Sequence, residues 1–187
     1  GLFENPYSKT SCGNDFACDK HTEQNYEAAK ETVILAKNEN GLLPLSKNTK
    51  LLVTGPTADK LSVLNGGWTI TWQGNVEELY PKEKKTILDA VKEKVGEENL
   101  VFIAGTDFTK EINIHTAVEA AKDVDVVLLC LGESTYCETP GNIVDLTLEE
   151  VQLKLALEIS KTGKPVILLL LEGRPRIISK IETMANA

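Results

Sequence analysis

The sequence predicts an α/β fold, a mostly parallel sheet with helices on both faces, that is, an α/β sandwich. Three observations predict it. Four short runs, KLLVT, LVFIA, VDVVLLCL and PVILLLL, are apolar at nearly every position. Continuous apolar runs mark strands buried on both faces, whereas a sheet with one wet face alternates apolar and polar. Between the runs lie segments with apolar residues at helical spacing, and a glycine follows each run within two residues. Buried strands alternating with amphipathic helices are βαβ units, which build parallel sheets.

Taken in order, residues 1–20 form an irregular polar segment without hydrophobic period. A helix is expected over 22–37, with Tyr26, Ala29, Val33 and Ala36 on one stripe and Asn40-Gly41 as its stop. Residues 1–48 thus read as an inter-domain linker and helix, and 49–187 as the sandwich domain. The first strand is expected at 50–54. A helix over 86–95 follows, with Ile87, Leu88, Val91 and Val95 on one face and Thr86 and Asp89 at its start. Strands at 100–104 and 124–131 flank a short helix over 114–122. A helix over 147–162 opens on Thr147 and Glu150, a capping-box pair, with Asp145 helping to cap it. The fourth strand occupies 165–171, and one more helix is expected before Ala187. A four-stranded sheet with open edges implies that one or two strands are missing, so the fold reads as truncated at its C-terminal end. The start at Gly1, with Met184 as the only methionine, likewise reads as a cut piece.

Composition narrows the function classes. Against 20 Lys and Arg stand 28 Asp and Glu, a net charge of −8. Nucleic acid and anionic membrane are excluded as main partners, because both require clustered positive charge. No apolar run approaches a membrane span. No short Cys-x2-Cys spacing occurs among Cys12, Cys18, Cys130 and Cys137, and His21 and His115 have no partners, so no metal site is expected. Cys12 and Cys18 flank a Gly/Asn/Asp loop and form either a local disulfide or two free thiols. Cys130 falls inside an apolar run and reads as core. Neither a G-x-G-x-x-G after the first strand, nor a phosphate loop, nor a G-x-S-x-G elbow is present, and no cofactor is expected.

Ligands of open α/β sheets bind at the carboxyl edge of the strands, so the loops there carry the candidates. The first is unusually long and contains both tryptophans in NGGWTITWQG, from Asn65 to Gly74. An indole ring offers a flat apolar face to a sugar and an N–H to a hydroxyl, so Trp68 and Trp72 are candidate ligand contacts. Their alternation with Ile70 would put both rings on one face of an extended segment. The loop after the third strand, GESTYCETPGN, carries two carboxylates, Glu133 and Glu138, either of which suits general acid–base work. Spacing does not choose between them. After the fourth strand, EGRP presents Arg174, expected to hold a structural turn through an internal salt bridge.

These motifs resemble, in order, a known family. GLFENPY from Gly1, KNENGLLPL from Lys37, Gly55-Pro56 with Ala58-Asp59, GGWTITWQG from Gly66, GESTYCETPGN from Gly132 and EGRP from Glu172 are similar to glycoside hydrolase family 3, the β-glucosidases and exo-β-glucanases. The resemblance covers essentially the whole chain. It implies an α/β sandwich that shares an active site with a (β/α)8-like N-terminal barrel. The barrel would carry an aspartate nucleophile, and the sandwich the acid/base glutamate. The family's Y-x-E-T-x-G pattern assigns that role to Glu138, with Glu133 as runner-up. Trp72, in the W-Q-G triplet, would stack on the sugar, and Trp68 would support the loop. Cys137 departs from the commoner threonine. A β-linked gluco-oligosaccharide or aryl glucoside is the implied substrate, and a secreted or periplasmic location is implied with it. With no Ser-Asp nucleophile motif in these residues, the isolated chain is expected not to hydrolyse glycosides. A non-catalytic carbohydrate-binding or structural module is the alternative. A flavodoxin-like nucleotide binder fits the fold pattern but lacks the phosphate loop.

Overall fold

In the computed structural model, the chain divides into two units, Gly1–Ala36 and Lys37–Ala187. The described residues are 1–7 and 10–187, without the side chains of 10–12, so a Cys12–Cys18 disulfide lies outside them.

The first unit contains a 3-10 turn, Thr10–Asp15, and helix α1, Asp19–Glu31. This helix starts and stops earlier than the periodicity predicts. At its end the Thr32 hydroxyl donates to the Ala29 carbonyl at 2.7 Å. Thr32, Val33 and Ile34 are all β-branched, which crowds a preceding turn and favours leaving the helix. Val33 and Ala36 therefore stand outside it. Asn40-Gly41 instead belongs to a separate 3-10 turn, Glu39–Gly41.

The second unit follows the expected alternation: β1 Leu51–Thr54, α2 Ile87–Val95, β2 Leu100–Phe102, α3 Ile114–Lys122, β3 Val126–Gly132, α4 Glu150–Ser160 and β4 Val166–Leu171. The four strands form one wholly parallel sheet in the order β2-β1-β3-β4. Leu51 pairs with Leu100 on one side and Val126 on the other, and Val127 pairs with Val166.

Successive side chains of a strand point to opposite faces, and here each face has its own core. Leu52, Val127, Leu129 and Leu131 pack with Ile114, Ala117 and Ala121 of α3 and with Leu155, Ala156 and Ile159 of α4. Val53 and Cys130, facing the other way, pack against Ile87, Leu88 and Val91 of α2. Helices on both faces are thus dictated by strands apolar at nearly every position. Leu42, Leu43 and Leu45, ahead of β1, pack with Leu51, Val126 and Ile167.

Helix starts divide the expectations. At α2 the capping box forms: Thr86 accepts from the Asp89 amide at 3.2 Å, and Asp89 accepts from the Thr86 amide at 3.0 Å. At α4 no box forms; Glu149 is the N-cap, without a side-chain cap bond. Thr147 is spent elsewhere. It bridges Ile177 in parallel, its carbonyl accepts from Arg176 Nη2, and its amide donates to Asp145 Oδ1 at 2.7 Å. Asp145 therefore braces a turn and leaves the helix uncapped.

The helix expected after β4 is only a 3-10 turn, Glu182–Met184. The backbone before it is engaged in bridging, with the Ile177 amide donating to the Leu146 carbonyl at 2.9 Å. After the turn the chain returns along β4. Ala187 donates to the Val166 carbonyl at 3.3 Å and accepts from the Leu168 amide at 2.8 Å, the parallel pattern.

Candidate functional site

From β1 the chain moves to one side of the sheet to form β2, and then crosses to the other side for β3. The loops leaving β1 and β3 therefore diverge at the point where strand order reverses, the position where open parallel sheets hold ligands. The strand ends lie close. A Cβ on Gly55 would sit 2.0 Å from the Cys130 carbonyl oxygen, so only glycine fits.

Two anchors, the half-buried Glu77 and the buried Tyr80, hold the long β1 loop. Glu77 accepts from the Leu61 amide at 2.5 Å and from the Ser62 amide at 3.1 Å. Burial pushes its carboxyl pKa up, but the Ser62 side chain, those two amides and the charge of Lys60 outweigh burial and hold it below the ordinary glutamate value. Farther on, the buried Tyr80 hydroxyl donates to the Gly74 carbonyl at 2.8 Å.

Between these anchors lies the tryptophan segment, and it is a tight turn. The Trp68 amide donates to the Trp72 carbonyl at 2.8 Å, and Trp68 and Ile70 both adopt φ of 63°. The expected extended strand with rings on one face is absent, because the Gly-rich flanks and the Trp68–Trp72 bond fold the segment on itself. Both rings remain accessible, Trp68 at 69% and Trp72 at 47% exposure.

Gln73 joins this turn to the β3 loop. Its Oε1 accepts from the Cys137 amide at 3.1 Å, and its Nε2 donates to the Cys137 carbonyl at 3.2 Å. The Cys137 thiol donates to the Trp72 carbonyl at 2.9 Å. Gly67 permits the contact, since a Cβ there would lie 2.6 Å from Cys137 Cβ and 2.7 Å from the Tyr136 carbonyl oxygen. The residue after Trp72 and the residue before Glu138 are thereby bonded to each other.

The two glutamates of the β3 loop differ. Glu133 is nearly buried, and its Oε1 lies 2.6 Å from Arg176 Nη1 and 3.2 Å from Arg174 Nε. Its Oε2 accepts from the Gly173 amide at 3.2 Å. Arg174 also donates to the Tyr136 hydroxyl at 2.8 Å and lies over that ring, 3.8 Å from its centroid. The internal salt bridge expected of Arg174 is present. Glu138 is exposed and begins the 3-10 turn Thr139–Gly141. No hydrogen bond or ion pair engages its carboxylate among the described residues. Its backbone has φ 54° and ψ −150°, a region costly for a side-chain-bearing residue.

The beginning of the same loop is fixed by Gln152 of α4. This buried carboxamide accepts from the Gly132 amide at 3.0 Å and donates to the Gly132 carbonyl at 2.9 Å. Its signal was legible: Gln152 stands on the stripe of Leu155, Ala156 and Ile159, one polar residue on an otherwise apolar face. Gln73 and Arg176 had no such signal, because their partners are distant in sequence.

A cavity of about 330 Å³ lies between Asn65 and Gly66 of the β1 loop, Glu133 and Thr135 of the β3 loop, and Glu172. Neither Trp72 nor Glu138 lines it. Among the described residues no group of three or more His, Cys, Asp or Glu side chains is placed to hold a metal ion, and no helix is long and apolar enough to cross a membrane.

Fold and loops together define an α/β sandwich domain that presents an unengaged carboxylate and accessible indole rings at its switch point. The chain belongs to glycosyl hydrolase family 3: residues 33–187 match the model of the Glycosyl hydrolase family 3 C-terminal domain. It is similar to a lysosomal beta glucosidase of Dictyostelium discoideum, 36% identical over 188 residues, and that match covers 95% of this chain and 23% of the relative. A beta-xylosidase of Formosa agariphila is 39% identical over 170 residues, covering 87% of this chain and again 23% of the relative. Among solved structures, a beta-glucosidase from Listeria innocua in complex with gluconolactone matches with a TM-score of 0.81 and 27% identity, over 99% of this chain and 25% of that one. The chain thus spans about a quarter of the length of these relatives.

Proposed function

We propose that this chain supplies the acid/base glutamate, Glu138, and a sugar-stacking ring, Trp72, to a retaining β-glucosidase-type glycoside hydrolase. The aspartate nucleophile comes from a (β/α)8-like barrel that completes the active site. The observation that carries the reading is the Gln73–Cys137 pairing, which brings the Trp72 turn against the segment ending in Glu138.

The chemistry divides between two carboxyl groups about 5 to 5.5 Å apart. The nucleophile attacks the anomeric carbon while Glu138 gives its proton to the leaving oxygen. Glu138 then takes a proton from the water that releases the sugar. Such a group must be free to gain and lose a proton and to meet substrate, and the Glu138 carboxylate is exposed and unengaged. Glu133 is the weaker candidate, because two arginines and an amide already occupy it. Trp72 presents its ring to the C–H face of a pyranose, and Trp68 shapes the turn beneath it. The substrate class is a β-linked gluco-oligosaccharide or aryl glucoside. A secreted or periplasmic site of action belongs to the same reading, supported by a Salmonella typhimurium relative named periplasmic beta-glucosidase.

The test is Glu138→Gln in the enzyme that carries this chain, assayed on two aryl β-glucosides. A substrate with a poor leaving group should lose at least about 100-fold in kcat, because general acid catalysis contributes that much. A dinitrophenyl glucoside needs no leaving-group proton and should still be cleaved at its first step, with azide restoring turnover. Equal losses on both substrates, or none, would overturn the role.

A further inference from the structure

We infer that Gln73 is a positioning residue, whose carboxamide locks the Trp72 turn onto the Glu138 loop and sets the spacing between sugar platform and proton donor. This deepens the proposed function and rests on it. The argument begins with hydrogen-bond inventory. A backbone amide and carbonyl of one residue require one acceptor and one donor, and a carboxamide is the side chain that offers both side by side. Gln73 meets Cys137 in that way, through Oε1 at 3.1 Å and Nε2 at 3.2 Å.

The contact does more than satisfy Cys137. Trp72 and Gln73 are neighbours in the chain, as are Cys137 and Glu138, so one pair of bonds fixes the two functional residues at one peptide's remove on each side. The Cys137 thiol adds a third tie, donating to the Trp72 carbonyl at 2.9 Å. Without Gln73, nothing else described joins the tip of the tryptophan turn to this end of the loop except the thiol and the close approach at Gly67. Both polar atoms of the Gln73 carboxamide are committed to Cys137, so its effect on turnover is through position.

Chemistry supplies a reversible test. In Gln73→Glu the introduced carboxyl, when neutral, keeps one acceptor and one donor in nearly the same shape. When ionised it only accepts, and it faces the Cys137 carbonyl with negative charge. The titratable groups around it are Cys137, which it bonds, Glu138 next in the chain, and Tyr80, whose hydroxyl bonds the carbonyl of the following Gly74, with Glu77 four residues along the same loop, so wild type is scanned in parallel. Labelling of Cys137 by dithiodipyridine, followed on its own peptide by mass spectrometry, reports separation of the loops in the 187-residue chain.

At pH 7 Gln73→Glu should label about tenfold faster than wild type, the change expected from losing roughly one hydrogen bond's net worth. The ratio should return toward one below about pH 4, where a glutamate is protonated. Gln73→Leu, which can neither donate nor accept, should label fast at every pH. Recovery at low pH also demonstrates that the Gln73→Glu chain folds. Wild-type labelling in both variants, or a pH-independent ratio, would overturn the clamp. In the parent enzyme the same Gln73→Glu change should lower kcat about tenfold or more at pH 7 and recover in the acid range; unchanged kcat would overturn the positioning role. If instead Glu138→Gln leaves hydrolysis intact while the thiol results stand, the hydrolytic reading fails and the clamp does not.

Discussion

Arg176 reaches Glu133 at 2.6 Å, and the two side chains are almost sealed from solvent, at 8% and 7% exposure. The same guanidinium donates to the carbonyls of Leu146 and Thr147, so one side chain joins the segment after β4 to both ends of the β3 loop. Glu133 is thereby a structural anchor at the base of the loop that carries Glu138.

Breaking a buried pair leaves an uncompensated charge, which costs more than the pair contributes when intact. Arg176→Met should therefore destabilise the chain by about 3 kcal/mol, and Glu133→Gln in the same direction by less, because the amide still accepts from Gly173. Glu138→Gln should leave the unfolding midpoint unchanged. Urea denaturation followed by tryptophan fluorescence checks all three; a midpoint for Arg176→Met equal to wild type would remove Glu133 from its anchoring role.

Glu172 sets a pH dependence. Burial pushes its carboxyl pKa above the ordinary value; the hydrogen bond from the Arg176 amide pulls it down, and the charge of Glu133 adds to the rise. Its Oε1 is buried without a hydrogen-bond partner. The folded chain thus keeps this proton to higher pH than the unfolded chain does. Its contribution is present below the unfolded pKa and is lost as pH rises through the folded one. Glu172→Gln, neutral throughout, should match wild type in Tm near pH 4 and exceed it at about pH 7. A difference that stays flat or turns negative on the way to neutrality would contradict this sign.

The two helix starts make a paired prediction. Thr86→Ala removes a formed cap and should cost about 1 kcal/mol. Glu150→Ala touches a residue that resembles half of a capping box in sequence but forms none, so its thermal midpoint should stay at that of wild type. Calorimetry on both variants separates the cap from the sequence pattern that imitates it.

The same contrast explains what was readable in advance. Thr86 and Asp89 cap α2 as their spacing implies, because the bond closes within three residues. Thr147 and Glu150 have the same spacing and fail, because Arg176 and Ile177, remote in sequence, claim Thr147 first. The tryptophans were legible as a pair in a glycine-rich loop, but their turn was not, since it depends on Trp68 bonding to Trp72 and on Gln73 reaching Cys137. Glu133 and Glu138 were indistinguishable by spacing, and family resemblance favoured Glu138. Their difference in engagement appears only when β4 brings Arg174 and Arg176 to one of them.

By itself, the sequence determined that this chain is a parallel α/β sandwich. Continuous apolar strands must be covered on both faces, and helical stripes of the matching period provide the cover. It also determined which loops leave the carboxyl edge and that they hold two indoles and two carboxylates. Only the tertiary structure decided which carboxylate is committed to arginines and which stands free, and that the Gln73 carboxamide and the Cys137 thiol join the indole turn to the acidic loop. Periodicity is a local property, readable within one segment, whereas a hydrogen bond between residues 64 positions apart exists only once the sheet has brought their loops together.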